Sequence, residues 1–481
     1  MDAFAKEALS RLPLAEAVMR CWQWAMNGPA LQGIFDRYRG RSYESVLTFE
    51  TIVDLTAKAL LEHRGSGNQA FERAAEANEL DASKEAVYGK LRRIPISLSD
   101  GFLQAGTQRI AELLPRRSAR TSLVPKTLRH MEVLFVDGKK LKHVPRLLKL
   151  ARGVKALVLG GKTISALSWN TGLVKAIHAD PDGEVSDAPL VPGLLLQLNE
   201  DVDGERLFVE DRQFCDLVQP RQLTARPGDH FLIRYNAKVH FYRDNSRKLR
   251  HGIDEVGNHY VEEWGWIGKP DDPRSVYVRR ITLTRRATPE EKTPEPVIII
   301  TDLLDADKYP AEDLLATYHA RWGIENVFHK ITDVFHLKNL ISTTPEGTVF
   351  QFAFCMLLYN VIQLLTQYLA EAEKIPAAKI SQENLFYDVH RQLIAWNEFV
   401  PPSTTAADLP SIPTAEGLRA RLQRLLSDVW TDRWLKASPK KRSPPRHDQA
   451  HVPGSHTSMF RLIHGIPASK RRRRKRRRQR K

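Results

Sequence analysis

Cysteine is scarce in this chain: Cys21, Cys215 and Cys355 are the only three among 481 residues, and no two stand at a C-x-x-C spacing. That excludes a disulfide framework and argues against a structural zinc site, and it fits a reducing compartment. Long apolar runs are lacking as well. The most apolar stretch, Phe350 to Leu365, is broken by Gln351, Asn360 and Gln363 and is short of a membrane span, so it reads as a buried helix. The first residues carry Asp2, Lys6, Glu7 and Arg11, which is too polar for a signal peptide. There is no long internal repeat. These absences lead to the expectation of a soluble protein with no membrane partner.

What the chain does have is length, apolar content and an uneven distribution of charge. Its 481 residues, 42% of them hydrophobic, allow two to four domains around a real core. The net charge is +16, but the last twelve residues, Lys470 to Lys481, hold eleven Lys or Arg and one Gln, so sixteen less eleven leaves +5 for everything else. A run of this kind repels itself, is expected to stay disordered, and attracts polyanions without reading sequence. No amphipathic apolar face accompanies it, so nucleic acid is favoured over an anionic membrane.

In chain order, residues 1–125 read as helical, with breakers at Gly28-Pro29, Gly65 and Pro95. The amphipathic stretch Asn68 to Asn78, a short polar turn, and a second helix starting at an N-cap Ser83 have the outline of a helix-turn-helix. Its second helix carries Lys84, Lys90, Arg92 and Arg93 as candidate DNA contacts. An ordinary surface helix pair is the alternative. After the basic connector at Arg116, Arg117 and Arg120, the pattern turns to strands at 132–136, 154–159, 163–169 and 173–179, a helix at 190–198, and a strand at 207–210. From Asp229 about sixty residues are strand-rich: 230–235, 238–242, 259–262, 264–267 and 275–282. Then come a strand at 296–300, a helix, whole or broken, from Asp313 to about Leu340, a long apolar helix from Val349 to about Glu373, and weaker helices near 380–397 and 414–436. Pro401 to Thr405 reads as linker, and everything from Pro439 as disordered.

Three acids stand out within this pattern. Asp137 closes the apolar run Glu132 to Val136, Asp211 closes Arg206 to Glu210, and Glu325 lies on the helix that begins near Asp313. On that helix Tyr318, Arg321, Glu325, Phe328, His329 and Thr332 share one face. Three carboxylates beside an arginine are what two-metal phosphoryl transfer needs. The carboxylates would hold two hard cations about 3.5–4 Å apart, and the guanidinium would grip a phosphate. Each residue also has a plainer reading. Asp137-Gly138 is a common hairpin turn, Asp211 a cap, and Arg321–Glu325 a surface ion pair. Arg234 and Lys238 would line a phosphate groove or form a solvated edge. Trp264 and Trp266 would stack on DNA bases or pack the core. His319, His329 and His336 lack ligand spacing to a carboxylate and read as DNA-facing or structural.

The wording Tyr318, Arg321, Trp322, Glu325, together with the order and strand setting of the two aspartates, resembles the DDE transposases of bacterial insertion sequences. In particular it is similar to the branch containing insertion sequence four and the Tn-five element. That branch has tyrosine, arginine three on, glutamate four further and lysine seven further. The first three match and the fourth is Thr332 here, which leaves the lysine–phosphate contact unfilled; Lys330 points to another side of the helix.

The resemblance implies a ribonuclease-H-like catalytic core interrupted by a β-rich insertion subdomain, with a helical N-terminal domain and a disordered basic C-terminal tail. The corresponding segments are 1–125, 126–228, 229–295, 296–375, 376–438 and 439–481. The 114 residues between Asp211 and Glu325 leave room for such an insertion. It further implies Asp137, Asp211 and Glu325 as catalytic and metal-binding residues, two Mg2+ (or Mn2+) ions per site, and Tyr318 and Arg321 on the DNA backbone. The expected partners are double-stranded DNA and a second copy of the chain in the DNA complex, in a bacterial cytoplasm at the nucleoid. A nuclease of the same core without strand transfer, and a DNA-binding derivative without chemistry, stay open as alternatives.

Overall fold

The computed structural model describes residues 3–115, 123–142, 144, 148–154, 156–199, 204–286, 294–399, 409–436 and 456–467. The basic connector at 116–122, the linker at 401–405 and the polycationic run 470–481 lie outside the described residues.

Among the described residues seven helices come first: α1 (Ala3–Ser10), α2 (Pro13–Ala25), α3 (Gly28–Tyr38), α4 (Phe49–Leu61), α5 (Gly67–Glu76), α6 (Lys84–Leu91) and α7 (Ile96–Ala111). Their starts carry the expected chemistry. The side chains of Asn27, Thr48, Ser66 and Ser83 each accept a hydrogen bond from the amide three residues on, and Pro13 opens α2. Twelve strands follow: β1 (Met131–Lys140), β2 (Leu157–Leu159), β3 (Lys162–Ser168), β4 (Val174–Asp180), β5 (Glu205–Glu210), β6 (Asp229–Arg234), β7 (Phe241–Arg243), β8 (Arg250–Ile253), β9 (His259–Ile267), β10 (Val276–Thr284), β11 (Val297–Thr301) and β12 (His456–Ser458). The remaining helices are α8 (Val191–Leu198), α9 (Gln219–Leu223), α10 (Ala311–Ala320), α11 (Trp322–Asp333), α12 (Pro345–Ala372), α13 (Gln382–Phe399), α14 (Ala415–Leu426) and α15 (Met459–Ile463). The chain is thus mixed α/β, with a helical N-terminal region.

Ten strands form one sheet in the order β4-β3-β1-β5-β6-β11-β10-β9-β7, with β8 also on β9. The meander β1, β3, β4 is antiparallel, β5 joins β1 in parallel, and β6 joins β5 in parallel. Beyond β6 every pairing is antiparallel. Alternation along the strands makes two apolar faces. Leu134, Val136, Phe208 and Ile233 face Val191 and Leu194 of α8, while Val133, Phe135, Leu207 and Val209 face the core that holds α11 and α12.

Helix α12 is long and apolar enough to cross a membrane, and 94% of its most apolar window is buried inside the fold. It lies against α7 and β4, where Asn360 accepts from the Val174 amide at 2.8 Å and donates to the Val174 carbonyl at 2.9 Å. A polar side chain in that position ties the helix to one register of the sheet, because leaving it unpaired in the core would cost about 1–3 kcal/mol.

Three sequence expectations need correction. The first strand does not end at Asp137. It runs on to Lys140, since Asp137 to Lys140 pair with Ser165 to Lys162 of β3. Of 154–159 only Leu157–Leu159 is strand, and it pairs outside the meander, in parallel with β12. Residues 456–467 are therefore not disordered tail: Met459 is buried, Arg461 pairs with Asp182 at 2.7 Å, and Ser458 Oγ accepts from the Gly183 amide at 3.1 Å. The helix read from Asp313, whole or broken, is broken: α10 and α11 meet at Arg321.

Candidate active site

The two aspartates are brought together by register. Phe135 and Val209 are partners on the parallel strands β1 and β5, so Asp137 and Asp211, each two residues further on, reach the same level. Adjacent strands are about 4.8 Å apart, and even spacing keeps both aspartates on the face of Phe135 and Val209. Asp211 stands just past the end of β5 and caps the short turn Arg212–Phe214, its Oδ1 accepting from the Arg212 amide at 2.6 Å. Asp211 thus has the capping role of its plainer reading.

Asp137 is no turn residue. Its Oδ1 accepts from the Gly138 amide at 2.8 Å while the strand continues. Gly138 is required from the other side of the sheet. A Cβ there would land on Asp187 Oδ1 and lie 2.8 Å from Lys162 Nζ, and these two residues form a buried ion pair directly beneath.

Helix α11 delivers the third acid. Ile324, Val327, Phe328 and Ile331 are its buried stripe, which presses it onto the β1 face, and Glu325 lies in its first turn. Arg321, at the junction of α10 and α11, is only 5% exposed. Its Nη2 donates to Glu325 Oε1 at 3.0 Å, its Nη1 lies 3.6 Å from Asp137 Oδ2, and its guanidinium is 5.8 Å from the Tyr318 ring centre. Burial works against the arginine's charge, but Tyr318, Asp137, Asp211 and Glu325 outweigh it and hold its pKa above the ordinary value. One buried cation therefore feels all three acids.

Asp137 itself, its side chain 14% exposed, is pushed up to about 6. Burial is the main cause; the Gly138 amide and Arg321 pull it down, and Glu325 and Asp187 push it up. Burial also raises Tyr318, with Asp211 adding to the rise and Arg321 opposing it. Among the described residues no three acids, histidines or cysteines stand close enough to hold one ion, and Arg321 lies between Asp137 and Glu325.

The other expected contacts divide. Arg234 ends β6 near Tyr318 and reaches Glu295 at 3.5 Å, on the rim of the site. Lys238 is exposed in the turn beyond it, its amide donating to Asn236 Oδ1. Trp264 takes the packing role, 5% exposed with its indole N–H donating to the Leu304 carbonyl at 3.0 Å. Trp266 is half-buried and packs edge-on against Tyr277 at 4.8 Å. In the N-terminal pair, Lys84 bonds Glu72, and Lys90 donates to the Tyr43 carbonyl at 2.6 Å. Of that helix's four expected contacts, only Arg92 and Arg93 stay exposed and outside such bonds in their side chains. His329 pairs with Asp333 at 2.9 Å. Thr332 turns its hydroxyl inward to the Phe328 carbonyl, and Lys330 faces away, bonded to Gln382 and pushed down to about 8 by burial.

Three residues of the site were given no role by sequence reasoning. Trp322 is 62% exposed between Arg321 and Glu325, a large aromatic left in solvent at the site's lip. Arg212 reaches Glu295 at 3.4 Å beside Asp211. Lys139 follows Asp137 on the same face of β1, with its ammonium 5.5 Å from the Phe328 ring centre. For Lys139 a signal existed, the lysines of Asp137-Gly-Lys-Lys-Leu-Lys142, but it was masked by taking Asp-Gly as a strand end.

The fold and the site together define a mixed α/β protein with an acid trio and a buried arginine where the parallel pairing of β1 and β5 ends. Residues 129–361, which contain all three acids together with Tyr318 and Arg321, match the family model of the transposase DDE domain, and this match supports a DDE transposase. No curated protein matches the chain.

Proposed function

We propose that the chain is an insertion-sequence transposase that binds the ends of its element, cleaves the phosphodiester bonds there and joins the freed ends to target DNA. The observation that carries this reading is the shared level of Asp137 and Asp211 on β1 and β5, with Arg321 linking Asp137 to Glu325. In this reading β4-β3-β1-β5-β6 is the ribonuclease-H-like core, and β7 to β10, lying between β6 and β11 in the chain, are the insertion.

The donor set suits hard divalent cations: three oxygen acids, no thiol or imidazole, and one arginine for three negative charges. The rise at Asp137 reflects the cost of burying its charge, which the Gly138 amide and Arg321 offset only in part. Asp137, Asp211 and Glu325 would hold two Mg2+ or Mn2+ ions, which would stabilise the attacking and leaving oxygens of the phosphodiester. Arg321 would turn from the acids to a backbone phosphate, a ligand its fork fits as well as a carboxylate. Tyr318 fixes the arginine from its other side. Trp322 would lie on a base next to the cut, since stacking on an exposed ring is worth about 1–3 kcal/mol per base. Two ends must be joined at once, so the acting form is a dimer on DNA in the nucleoid of a bacterial cytoplasm.

The test is strand transfer. Pre-cut duplex ends, taken from the repeats flanking the reading frame, are incubated with plasmid and Mg2+. Joined product supports the proposal. Cleavage without joining identifies a nuclease, and a gel shift without cleavage, unchanged in D137A, D211A and E325A, identifies a DNA-binding derivative.

A further inference from the structure

DNA that presents a phosphodiester to the acids needs a cation for the neighbouring phosphate, and the cations around the site are unequally free. Arg321 is engaged by Asp137 and Glu325, Arg212 and Arg234 by Glu295, and Lys330 is turned away into the contact with Gln382. Lys139 is different. It has no ion pair among the described residues, and its ammonium stands over the Phe328 ring, 5.5 Å from the ring centre. The turn it covers is the one where Thr332 directs its hydroxyl to the Phe328 carbonyl and offers nothing outward.

Resting on the transposase reading above, we propose that Lys139 forms a DNA phosphate subsite, holding the backbone one or two nucleotides from the phosphodiester at the acids. Lys139 lies two residue steps from Asp137, about 7 Å along β1, comparable to two nucleotide rises along a DNA strand. Both side chains lie on the face that α11 covers. Lys142, exposed just past the strand end, extends the same positive edge outward. Attraction between the Phe328 ring and the Lys139 ammonium favours this placement of the flexible side chain, so less side-chain freedom is lost when a phosphate arrives.

The experiment uses the full chain and a duplex bearing the flanking terminal repeat, with Lys139→Met, which keeps the stem, and Lys139→Arg, which keeps the charge. Cleavage is measured against duplex concentration, and lysine acetylation by an amine-reactive ester is mapped with and without DNA. Lys139→Met is expected to raise KM about five- to ten-fold, with kcat within about two-fold, and to reduce the salt slope of binding by about 1. Lys139→Arg restores KM, and DNA protects Lys139 from acetylation. A Lys139→Met variant that changes only kcat or thermal stability, or a Lys139 acetylated equally with and without DNA, overturns the subsite while wild-type cleavage keeps the transposase reading intact. Absence of both binding and cleavage by the wild type overturns the two together.

Discussion

Asp137 is a carboxyl held where its charge is unfavourable, and that makes it measurable. Its folded pKa, about 6, lies above the ordinary 3.8, so the folded chain binds this proton more tightly than the unfolded chain does. The sign follows from linkage. Its contribution to stability is fully present below pH 3.8 and is lost as pH rises through 6, a loss on the order of 2–3 kcal/mol at pH 7. Asp137→Asn removes the charge. In the metal-free protein it is expected to melt higher than wild type at pH 7 and at about the same temperature at pH 4. Asp54 also rises to about 6, which is why the comparison must be between variant and wild type and not between two pH values of one protein. Mn2+ should then raise the melting temperature of the wild type alone, because an ion that binds only the folded state stabilises it by mass action. A variant no more stable than wild type at pH 7 would contradict the burial argument. Gly138→Ala tests the opposite face of the same strand. The added methyl displaces Asp187 from Lys162, and breaking a buried pair costs about 3–5 kcal/mol, to be read from denaturant unfolding with an unchanged m-value.

At the scale of elements, the strands bearing both aspartates, the meander β3–β4 and the long helix α12 were legible, because each is a continuous apolar or alternating run of adequate length. The three acids were singled out in the sequence, but the common level of Asp137 and Asp211 was not legible, since register between β1 and β5 is a relation between residues some seventy positions apart. Asp137-Gly138 misled because a strong local turn signal was overridden by pairing to β3, whose own residues are all buried. Trp264 stayed open between base stacking and packing because exposure depends on what covers a strand, and Leu304 comes from a segment forty residues on. Least legible was β12, three residues pairing with three others about three hundred positions away. Its hold is side-chain chemistry more than ladder, with Arg461 on Asp182 and Met459 inserted below. Arg461→Ala is therefore expected to release this segment locally, speeding hydrogen exchange at Thr457 and Ser458 while the global melting temperature moves by no more than about 2 °C. A large global loss would mean that the segment is part of the main cooperative unit.

For the whole molecule the question is where the polycation is rooted. Segment 456–467 ends at Pro467, whose carbonyl accepts from Arg461 Nη1 at 3.1 Å, and Lys470 to Lys481 follow directly in the chain. Its strand β12 pairs with β2, and the two glycines after β2 bond both backbone groups of Leu141, the residue after β1. Asp137 is four residues back along β1 from Leu141, about 14 Å. The described segment that precedes the eleven charges in the chain is thereby tied to the end of the strand that carries Asp137. Under the transposase proposal, a sequence-blind cation run leaving from this segment would hold DNA while the acids and Arg321 search for the cut. Removing 468–481 should weaken duplex binding and flatten its salt dependence, by about 0.9 in log–log slope for each phosphate that the run no longer neutralises. Turnover on saturating duplex at low salt should change little, because no atom of the site is removed. Removing 456–481 should produce the same drop in slope together with the local opening expected of Arg461→Ala. An unchanged slope in the shorter truncation would show that the charge does not act on DNA, and binding of that variant to anionic vesicles should then be compared with the full chain's.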